Sequence, residues 1–220
     1  MTDLLIIFLK WPEAGRVKTR IGRIIGYPEA ANIYRRMVSA IIRNISPIFD
    51  DGLKICWYYD PLSKGNEVEK WIKNELGTLN VTNFSNHLFY PQIEGDLGDK
   101  LKFIFNKSFS MRFQRVLAIG SDCVRMTDKQ ILTGFISLND KRELVFGPCL
   151  DGGYYLVGMN NPKASIVFHD VPWSTNHVLN KSLNIAEMNQ ISYSLIEELD
   201  DVDNPEDLQR YSFLLNDIDC

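Results

Sequence analysis

Short apolar segments alternate with longer amphipathic segments along most of the chain. The apolar runs at residues 4–8, 53–59 and 115–119 have the length and composition of buried strands. Apolar residues at helical spacing predict three helices, which begin near Pro28 and span residues 67–76 and 97–109. Strands of this kind between helices are typical of a mainly parallel sheet covered on both faces. The pattern therefore predicts an α/β layer structure.

The last third of the chain departs from this alternation. Apolar runs at residues 144–146 and 154–159 flank a turn-rich stretch and predict a strand pair added to the parallel part of the sheet. A helix near 175–188, a short strand near 192–196 and a closing helix over 205–215 are expected to follow. No repeat or flexible linker divides the chain, so residues 1–220 are expected to form a single domain.

Composition and charge narrow the classes of partner. With 45% hydrophobic residues and a net charge of −4, the chain is typical of a globular protein that has no general affinity for nucleic acid or anionic lipid. The apolar run at residues 4–9 is too short to span a membrane and lacks a signal-peptide layout, so a cytoplasmic protein without a transmembrane segment is expected. Four scattered cysteines without a C-x-x-C pair fit reduced thiols better than a zinc site.

A basic segment follows the first predicted strand. Five of the 24 Lys and Arg residues fall at positions 10, 16, 18, 20 and 23. In an α/β sheet the loop after the first strand lies at the carboxyl edge, where ligands bind, and Gly15 would let backbone N–H groups approach a phosphate. The segment matches neither G-x-x-x-x-G-K-[ST] nor G-x-G-x-x-G. It predicts a polyphosphate cradle, with a solvated basic loop as the alternative.

Two aspartates are candidate ligands of a divalent metal ion. Asp122 directly follows the predicted strand 115–119 and is expected to project into the same cleft, because Thr127 is better placed to cap the next helix. Asp203 precedes a helix for which Asn204 is the expected cap, so helix capping does not require Asp203. For both aspartates a purely structural role at a helix start is the alternative.

Three further segments are open to two interpretations. Residues 95–100 open a helix whose backbone amides could meet an anion or a base, or could form only an acid-rich helix start. Residues 151–153 fit a tight hairpin turn or a substrate site equally well. Trp173 could stack on a sugar, although core packing is favoured, and Ser174 or Thr175 resembles a helix cap.

Six motifs occur in this chain in the order found in one family. They are Lys10, Pro12 and Gly15-Arg16-Val17-Lys18-Thr19-Arg20; Gly95-Asp96-Leu97-Gly98; Gly120-Ser121-Asp122-Cys123; Gly147-Pro148 with Asp151-Gly152-Gly153-Tyr154-Tyr155-Leu156; Pro172-Trp173-Ser174-Thr175; and Asp201-Val202-Asp203 with Pro205-Glu206-Asp207-Leu208. On these motifs the chain resembles the bacterial glycosyltransferase-like family, also called the radical-SAM/selenodomain-associated transferases, of the nucleotide-diphospho-sugar transferase (GT-A) superfamily. The resemblance covers nearly the whole chain.

This resemblance implies a Rossmann-like GT-A fold with three layers, α/β/α, around a mainly parallel mixed sheet. It also implies a nucleotide or nucleotide-sugar substrate, an acceptor, and Mg²⁺ or Mn²⁺ as cofactor. Superfamily members place a metal-binding aspartate at the position of Asp122. In the nucleotidyltransferases of the superfamily a second ligand comes from a late loop, which favours Asp203 here. Val124 stands where the family usually has Pro, and Lys100 where it usually has Arg; Lys100 keeps the charge but loses bidentate geometry.

The leading interpretation is a metal-dependent glycosyltransferase that uses a nucleotide-sugar donor. Nucleotide and phosphate contacts are expected from Lys10, Gly15, Arg16, Lys18, Arg20, Gly95, Asp96 and Lys100. Sugar or acceptor contacts are expected from Gly152, Gly153, Tyr154, Trp173, Ser174 and Thr175. Asp122 and Asp203 are the expected metal ligands, and Asp122 and Asp151 the catalytic residues, with Asp151 as general base of an inverting transfer. The alternatives are a nucleotidyltransferase, which the Lys-Thr-Arg run favours, and a non-catalytic nucleotide-binding module.

Overall fold

One seven-stranded sheet organises the protein. The structure, a computed structural model, describes residues 2–49, 52–81 and 84–215. The strands are β1 (Asp3–Lys10), β2 (Lys54–Asp60), β3 (His87–Pro91), β4 (Arg115–Ile119), β5 (Leu144–Pro148), β6 (Tyr154–Met159) and β7 (Tyr193–Leu195). Their order across the sheet is β3-β2-β1-β4-β6-β5-β7. Only β6 runs antiparallel to its two neighbours, so the sheet is mixed and mainly parallel, as predicted.

Helices cover both faces of this sheet. They are α1 (Thr19–Ile25), α2 (Tyr27–Ile45), α3 (Gly65–Thr78), α4 (Leu97–Ser110), α5 (Asp128–Ser137), α6 (Val178–Met188) and α7 (Pro205–Arg210), with 3₁₀ turns between several of them. No helix among the described residues has the length and apolar character needed to cross a membrane.

Alternating side chains of β1 divide the core between the two faces. Leu5, Ile7 and Leu9 belong to the cluster covered by α2, α3 and α5, whereas Leu4 and Ile6 belong to the cluster covered by α4 and α6. All five residues are buried, which explains why this central parallel strand has no polar face in the sequence. The predicted three-layer α/β/α architecture is confirmed.

Two elements of the fold were not predicted. β3 is an edge strand with mostly half-buried residues, and its apolar run, Leu88-Phe89-Tyr90, is too short to predict a strand. Helix α1 is short, and only Ile21 and Gly22 of its seven residues are buried, so its basic residues were read as a continuation of the loop. The carboxyl end of the basic segment is therefore helical.

Two predicted helix boundaries were wrong in detail. Helix α6 begins at Val178 with His177 as its N-cap, so neither Ser174 nor Thr175 caps it. Ser174 has a φ of 64°, a left-handed conformation that differs from the extended backbone of an N-cap. The closing helix ends at Arg210 and continues only as a 3₁₀ turn over Ser212–Leu214.

Candidate functional site

A cavity of about 680 Å³ opens at the edge of the sheet where β1 and β4 end and the antiparallel β6 begins. This edge corresponds to the carboxyl ends of the parallel strands, where α/β folds bind ligands. Nine predicted site residues line it: Lys10, Arg16, Lys18, Arg20, Lys100, Asp122, Tyr154, Ser174 and Asp203. The structure therefore brings the basic segment and both predicted metal ligands together, although they lie far apart in the sequence.

Lys18 and two aspartates form an ion cluster on the wall of this cavity. The Nζ atom of Lys18 lies 2.6 Å from Oδ1 of Asp122 and 2.8 Å from Oδ1 of Asp203. The Lys18 side chain is only 5% exposed, whereas those of Asp122 and Asp203 are 48% and 37% exposed. Burial alone would lower the pKa of Lys18, but the two carboxylates outweigh it and hold the pKa above its usual value.

The backbone around Lys18 aims its side chain inward. Val17 is buried, and Lys18 itself has a φ of 44° in the left-handed region at the N-cap of α1. A lysine adopts this conformation at a cost of about 1 kcal/mol, which its surroundings must offset. Gly15, three residues earlier, also has a positive φ of 82° and would have open space around an added Cβ. It lines a second, smaller cavity with Lys10 and Arg16.

Asp203 is positioned by hydrogen bonds at the start of α7. Oδ2 of Asp207 accepts hydrogen bonds from the backbone N–H groups of Asp203 and Asn204, at 2.9 and 2.8 Å. Burial tends to raise the pKa of Asp207, but these hydrogen bonds and the contact with Arg210 outweigh it and lower the pKa. Asn204 and Asp207 thus cap the helix, and Asp203 is not needed for capping, as predicted. Its carboxylate contacts Lys18 instead, which was not predicted.

A backbone contact joins this late loop to the loop after β4. The N–H of Val202 donates to the carbonyl oxygen of Asp122 at 3.2 Å, and the Val202 side chain is fully buried in a cluster with Val124 and Leu208. Val124 is itself buried, and its carbonyl oxygen accepts a hydrogen bond from the side chain of Asn44. The contacts of Asp122 with Val202 and of Val124 with Asn44 therefore hold the loop that carries Asp122 in place.

Tyr34 of α2 ties together the ends of β1 and β4. Its buried hydroxyl accepts a hydrogen bond from the N–H of Lys10 at 3.0 Å and lies 2.8 Å from Oγ of Ser121. Burial, followed by the charge of Asp122, raises the pKa of Tyr34 to about 12, so the hydroxyl stays protonated. This contact could not be predicted from the sequence, because Tyr34 fits the pattern of apolar positions on an amphipathic helix.

A carboxylate and a pair of thiols lie near Asp122, and neither feature was predicted. Burial and the nearby carboxylates of Asp203 and Asp151 raise the pKa of Asp201 to about 6. Sγ of Cys123 lies 3.6 Å from Sγ of Cys149, and both thiols are buried. In the sequence these cysteines look scattered, because a separation of 26 residues does not show that β4 and β5 end at the same edge of the sheet, on either side of β6.

The arginines at the cavity are open to solvent. Nη1 of Arg20 lies 3.6 Å from Oδ2 of Asp203, with 63% of its side chain exposed, and Nη1 of Arg16 lies 3.6 Å from Oε2 of Glu13. Pairs of this kind contribute little to stability, so both guanidinium groups could exchange their present partners for a phosphate. Gln92 also lines the cavity and was not predicted; its side chain donates to the carbonyl oxygens of Leu9 and Tyr58.

Several predicted site residues serve the framework around the cavity. Asp96 caps α4, because its Oδ1 accepts the N–H of Asp99 at 2.9 Å, and Gly95 packs tightly against Asp99. Trp173 packs on the core and meets the ring of Tyr154 edge to face at 6.4 Å, in agreement with the favoured core interpretation. Oγ1 of Thr175 donates to the carbonyl of Pro172.

The glycine-rich turn between β5 and β6 is docked on the start of α6. The carbonyl of Gly152 accepts the N–H of Leu179 at 2.9 Å, and an added Cβ on Gly152 would lie 2.2 Å from the carbonyl oxygen of Asn176. Oδ1 of Asp151 accepts the N–H of Gly153 at 2.8 Å. Asp151, Gly152 and Gly153 thus form the tight turn that was one of the two interpretations, outside the lining of the large cavity.

The carboxylates of Asp122 and Asp203 fit a divalent cation in donor type and number. Mg²⁺ is commonly held by one or two protein carboxylates together with substrate phosphates and water. Within residues 2–49, 52–81 and 84–215, no group of three or more His, Cys, Asp or Glu side chains is placed to share an ion. The Lys18 ammonium occupies the position between the two carboxylates where such an ion would bind. The donor set therefore fits an ion once this amine moves aside.

Comparison with solved structures places this fold among known transferases. A "putative nucleotide-diphospho-sugar transferase" from Desulfovibrio desulfuricans is 24% identical with a TM-score of 0.81, over 99% of this chain and 90% of that one. A 4-diphosphocytidyl-2C-methyl-D-erythritol synthase from Anaerococcus prevotii is 8% identical with a TM-score of 0.58, over 97% and 98% of the two chains. Glucosyl-3-phosphoglycerate synthase from Mycobacterium tuberculosis, in complex with Mn²⁺, UDP and glucosyl-3-phosphoglycerate, is 9% identical with a TM-score of 0.53, over 97% and 75%.

These likenesses establish the fold as the Rossmann-like fold expected from the motifs. No curated protein matches the chain in sequence. The model of one family matches residues 63–175, about half of the chain, and this half contains the glycine motif before α4, Asp122 and the turn at Asp151. The chain therefore belongs to the family described as "Uncharacterized protein conserved in bacteria (DUF2064)".

Proposed function

We propose that this protein is a transferase that acts on a nucleotide-activated substrate, and that it transfers a glycosyl group from a nucleotide-sugar donor in a metal-dependent reaction. The observation that carries the proposal is the convergence of Lys18, Asp122 and Asp203 on the wall of one cavity at the carboxyl edge of the sheet. A protein of the same fold in complex with Mn²⁺ and UDP supports it. The motif resemblance further favours a radical-SAM/selenodomain-associated transferase working in the cytoplasm.

The phosphates of the substrate would bind between the basic segment and α4. Lys10, Arg16, Arg20 and Lys100 line this part of the cavity, and Gly15 lies beside Lys10 and Arg16. A charge-assisted hydrogen bond contributes about 1.5 to 3 kcal/mol, so three such contacts would hold a nucleotide at micromolar strength after the entropy of association is subtracted. Gly95 and Asp96 are proposed to contact the nucleotide through the backbone, because the adjacent Leu97 lines the cavity.

Asp122 and Asp203 would hold Mg²⁺ or Mn²⁺ in this proposal. When bound, the ion would supply Lewis-acid neutralisation of the charge on the departing diphosphate. The protein's own part is to fix the two carboxylates, through the Val202–Asp122 backbone contact and the hydrogen bond from Asp203 to Asp207. Fixed carboxylates of this kind provide a preorganised electrostatic environment, which is how a protein stabilises charge that develops in a transition state.

Sugar and acceptor would lie against the start of β6 and the segment before α6. Tyr154 and Ser174 line the cavity there, and Gly152, Gly153, Trp173 and Thr175 form the layer behind them. Asp151 is the proposed general base of an inverting transfer, since it lies exposed on the turn and its carboxylate is oriented by the N–H of Gly153.

Nucleotidyl transfer from a nucleoside triphosphate is the second candidate function. Four basic side chains besides Lys18 line the cavity. This number favours a triphosphate, because a triphosphate carries more negative charge than a diphosphate. The two reactions differ in their products. Release of pyrophosphate would identify nucleotidyl transfer, whereas release of a nucleoside diphosphate would identify glycosyl transfer.

The proposal is tested by a thermal-shift panel of nucleoside triphosphates and nucleotide sugars, each with and without Mg²⁺ or Mn²⁺. A ligand at one hundred times its Kd stabilises the protein by about 2.7 kcal/mol, which raises Tm by roughly 5 to 10 °C for a chain of this size. We expect a metal-dependent shift that Asp122→Asn abolishes and that the exposed control Asp170→Asn retains. A shift that ignores both metal and Asp203 would identify a non-catalytic nucleotide-binding module, and no shift would refute nucleotide binding.

A further inference from the structure

We propose that the Lys18 ammonium is the resident cation of the Asp122–Asp203 pair and excludes a divalent metal ion from it until an anionic phosphate ligand draws the amine away. The inference rests on the proposed function for the identity of that anion. It assigns to Lys18 a second role besides phosphate binding, because the same amine would control access to the metal ligands.

The geometry leaves room for one cation between the carboxylates. Both Oδ1 atoms are within hydrogen-bond distance of the same Nζ atom, at 2.6 and 2.8 Å. Oxygen ligands of Mg²⁺ lie at 2.0 to 2.1 Å, so an ion bound by these two oxygens would stand where the nitrogen stands. The amine and the ion therefore compete for the same position.

The backbone contacts of the two aspartates indicate that Lys18 is the partner that moves. The Lys18 side chain is 5% exposed, whereas the two carboxylates remain open to the cavity. Lys18 also lines the cavity, next to the basic residues proposed to bind phosphate. A phosphate in the cavity would offer the amine an alternative anion within reach, while the aspartates are held by backbone contacts.

The charge of Lys18 balances that of the two carboxylates. Two carboxylates whose oxygens share a contact would repel each other, and the ammonium removes most of that repulsion. Once the amine turns to a phosphate, the pair becomes a doubly negative site. Metal and phosphate should therefore strengthen each other's binding, and by linkage the effect is the same in both directions.

Arg20 provides a matched control for this arrangement. Its Nη1 lies 3.6 Å from the other oxygen of Asp203, Oδ2, and its side chain is 63% exposed. Replacing Arg20 by a neutral residue changes the net charge by the same amount as replacing Lys18. It leaves the Lys18 ammonium in place between the two carboxylates. A difference between the two variants would then measure competition for the position and not a general change in charge.

The test is a titration of the free protein with Mn²⁺ alone. Binding is measured by calorimetry or from the electron paramagnetic resonance signal of free Mn²⁺. We expect Lys18→Met to bind Mn²⁺ at least tenfold more tightly than the wild type, and Lys18→Arg and Arg20→Met to stay within about threefold of it. Mn²⁺ affinity in Lys18→Met that does not exceed that of Arg20→Met would overturn the proposal. If Lys18→Met fails to melt cooperatively, Lys18→Gln takes its place under the same criterion.

A second measurement uses the wild-type protein. Acetylation of lysines by an N-hydroxysuccinimide ester, followed by peptide mass spectrometry, reports how accessible each amine is. Mn²⁺ near its wild-type Kd should raise the acetylation rate of Lys18 at least fivefold and leave that of Lys54, which is hydrogen-bonded to Ser85 and Asn86, unchanged. An unchanged rate at Lys18 while Mn²⁺ binds would show that ion and amine do not compete.

These experiments contain no nucleotide, so their outcome is separate from that of the thermal-shift panel. Competition between Mn²⁺ and Lys18 with no nucleotide-induced shift would refute the proposed function alone. Nucleotide-induced shifts with no gain of Mn²⁺ affinity in Lys18→Met would refute the competition alone.

Discussion

Replacing Tyr34 by Phe should weaken the framework of the cavity by an amount that the structure allows us to work out. The change removes one hydroxyl that joins the N–H of Lys10 to Oγ of Ser121, at 3.0 and 2.8 Å. Each lost hydrogen bond costs about 1 kcal/mol, and the Lys10 N–H is also left without its acceptor at a cost of about 1 to 3 kcal/mol. The phenylalanine ring regains part of this, because it no longer buries a hydroxyl. The expected net loss is about 2 kcal/mol.

Urea denaturation, monitored by tryptophan fluorescence, measures this loss in the free energy of unfolding. In a thermal melt the same 2 kcal/mol corresponds to a fall in Tm of roughly 4 to 8 °C for a protein of this size. Tyr193→Phe is the matched control, because it removes the same hydroxyl from an exposed contact with Glu187 and should cost less than about 0.5 kcal/mol. A double-mutant cycle with Ser121→Ala should give a coupling energy of about 1 kcal/mol. Equal stability of Tyr34→Phe and Tyr193→Phe would refute the role assigned to the Tyr34 hydroxyl.

Three further predictions concern the turn, the late loop and the basic segment. Gly152→Ala should cost at least about 2 kcal/mol in calorimetry, because φ is 87° and the new Cβ would meet the carbonyl of Asn176, whereas Gly77→Ala, in open space on α3, should be neutral or stabilising. Asp207→Ala should cost about 1 to 2 kcal/mol at pH 7. Since the folded-state pKa of Asp207 is lowered, its contribution is complete above the unfolded value near 3.8 and lost as the pH falls through the folded value, so the two proteins should converge in acid. Replacing Arg16 and Arg20 together by Met should weaken nucleoside diphosphate binding at least tenfold by calorimetry, while the exposed Arg43→Met should leave it unchanged.

Much of the fold followed from the hydrophobic pattern, for a physical reason. Central strands such as β4 are buried on both faces, so their sequences are short apolar runs with clear limits, and the prediction for residues 115–119 was confirmed residue for residue. Strand β3 lies at the edge of the sheet, pairs only with β2 and has mostly half-buried side chains, so its residues are less constrained to be apolar. Helix α1 buries two residues, which is too few for a helical period to be visible.

Some residues that line the candidate site could be predicted from the sequence, whereas the contacts between them could not. Strand order places Asp122 and the basic segment at one edge, so both could be assigned to the same cleft from the sequence alone. The contact of Lys18 with the predicted metal ligands depends on a left-handed backbone at a lysine, which no sequence rule favours. The hydroxyl of Tyr34 and the paired thiols of Cys123 and Cys149 likewise depend on packing between distant segments.

The contact between Lys18 and Asp203 joins residues that are 185 positions apart in the chain. Contacts of such separation form late in folding, because a long loop must be closed before they contribute any free energy. The parallel pairs of β1 with β2 and β4 can assemble without residues 200–207, whereas the ion cluster cannot. During synthesis the sheet edge would therefore present Lys18 and Asp122 before their third partner exists, and ligand-binding competence would arise abruptly when the segment around Val202 docks. Refolding followed both by tryptophan fluorescence and by ligand binding should show the second signal lagging behind the first.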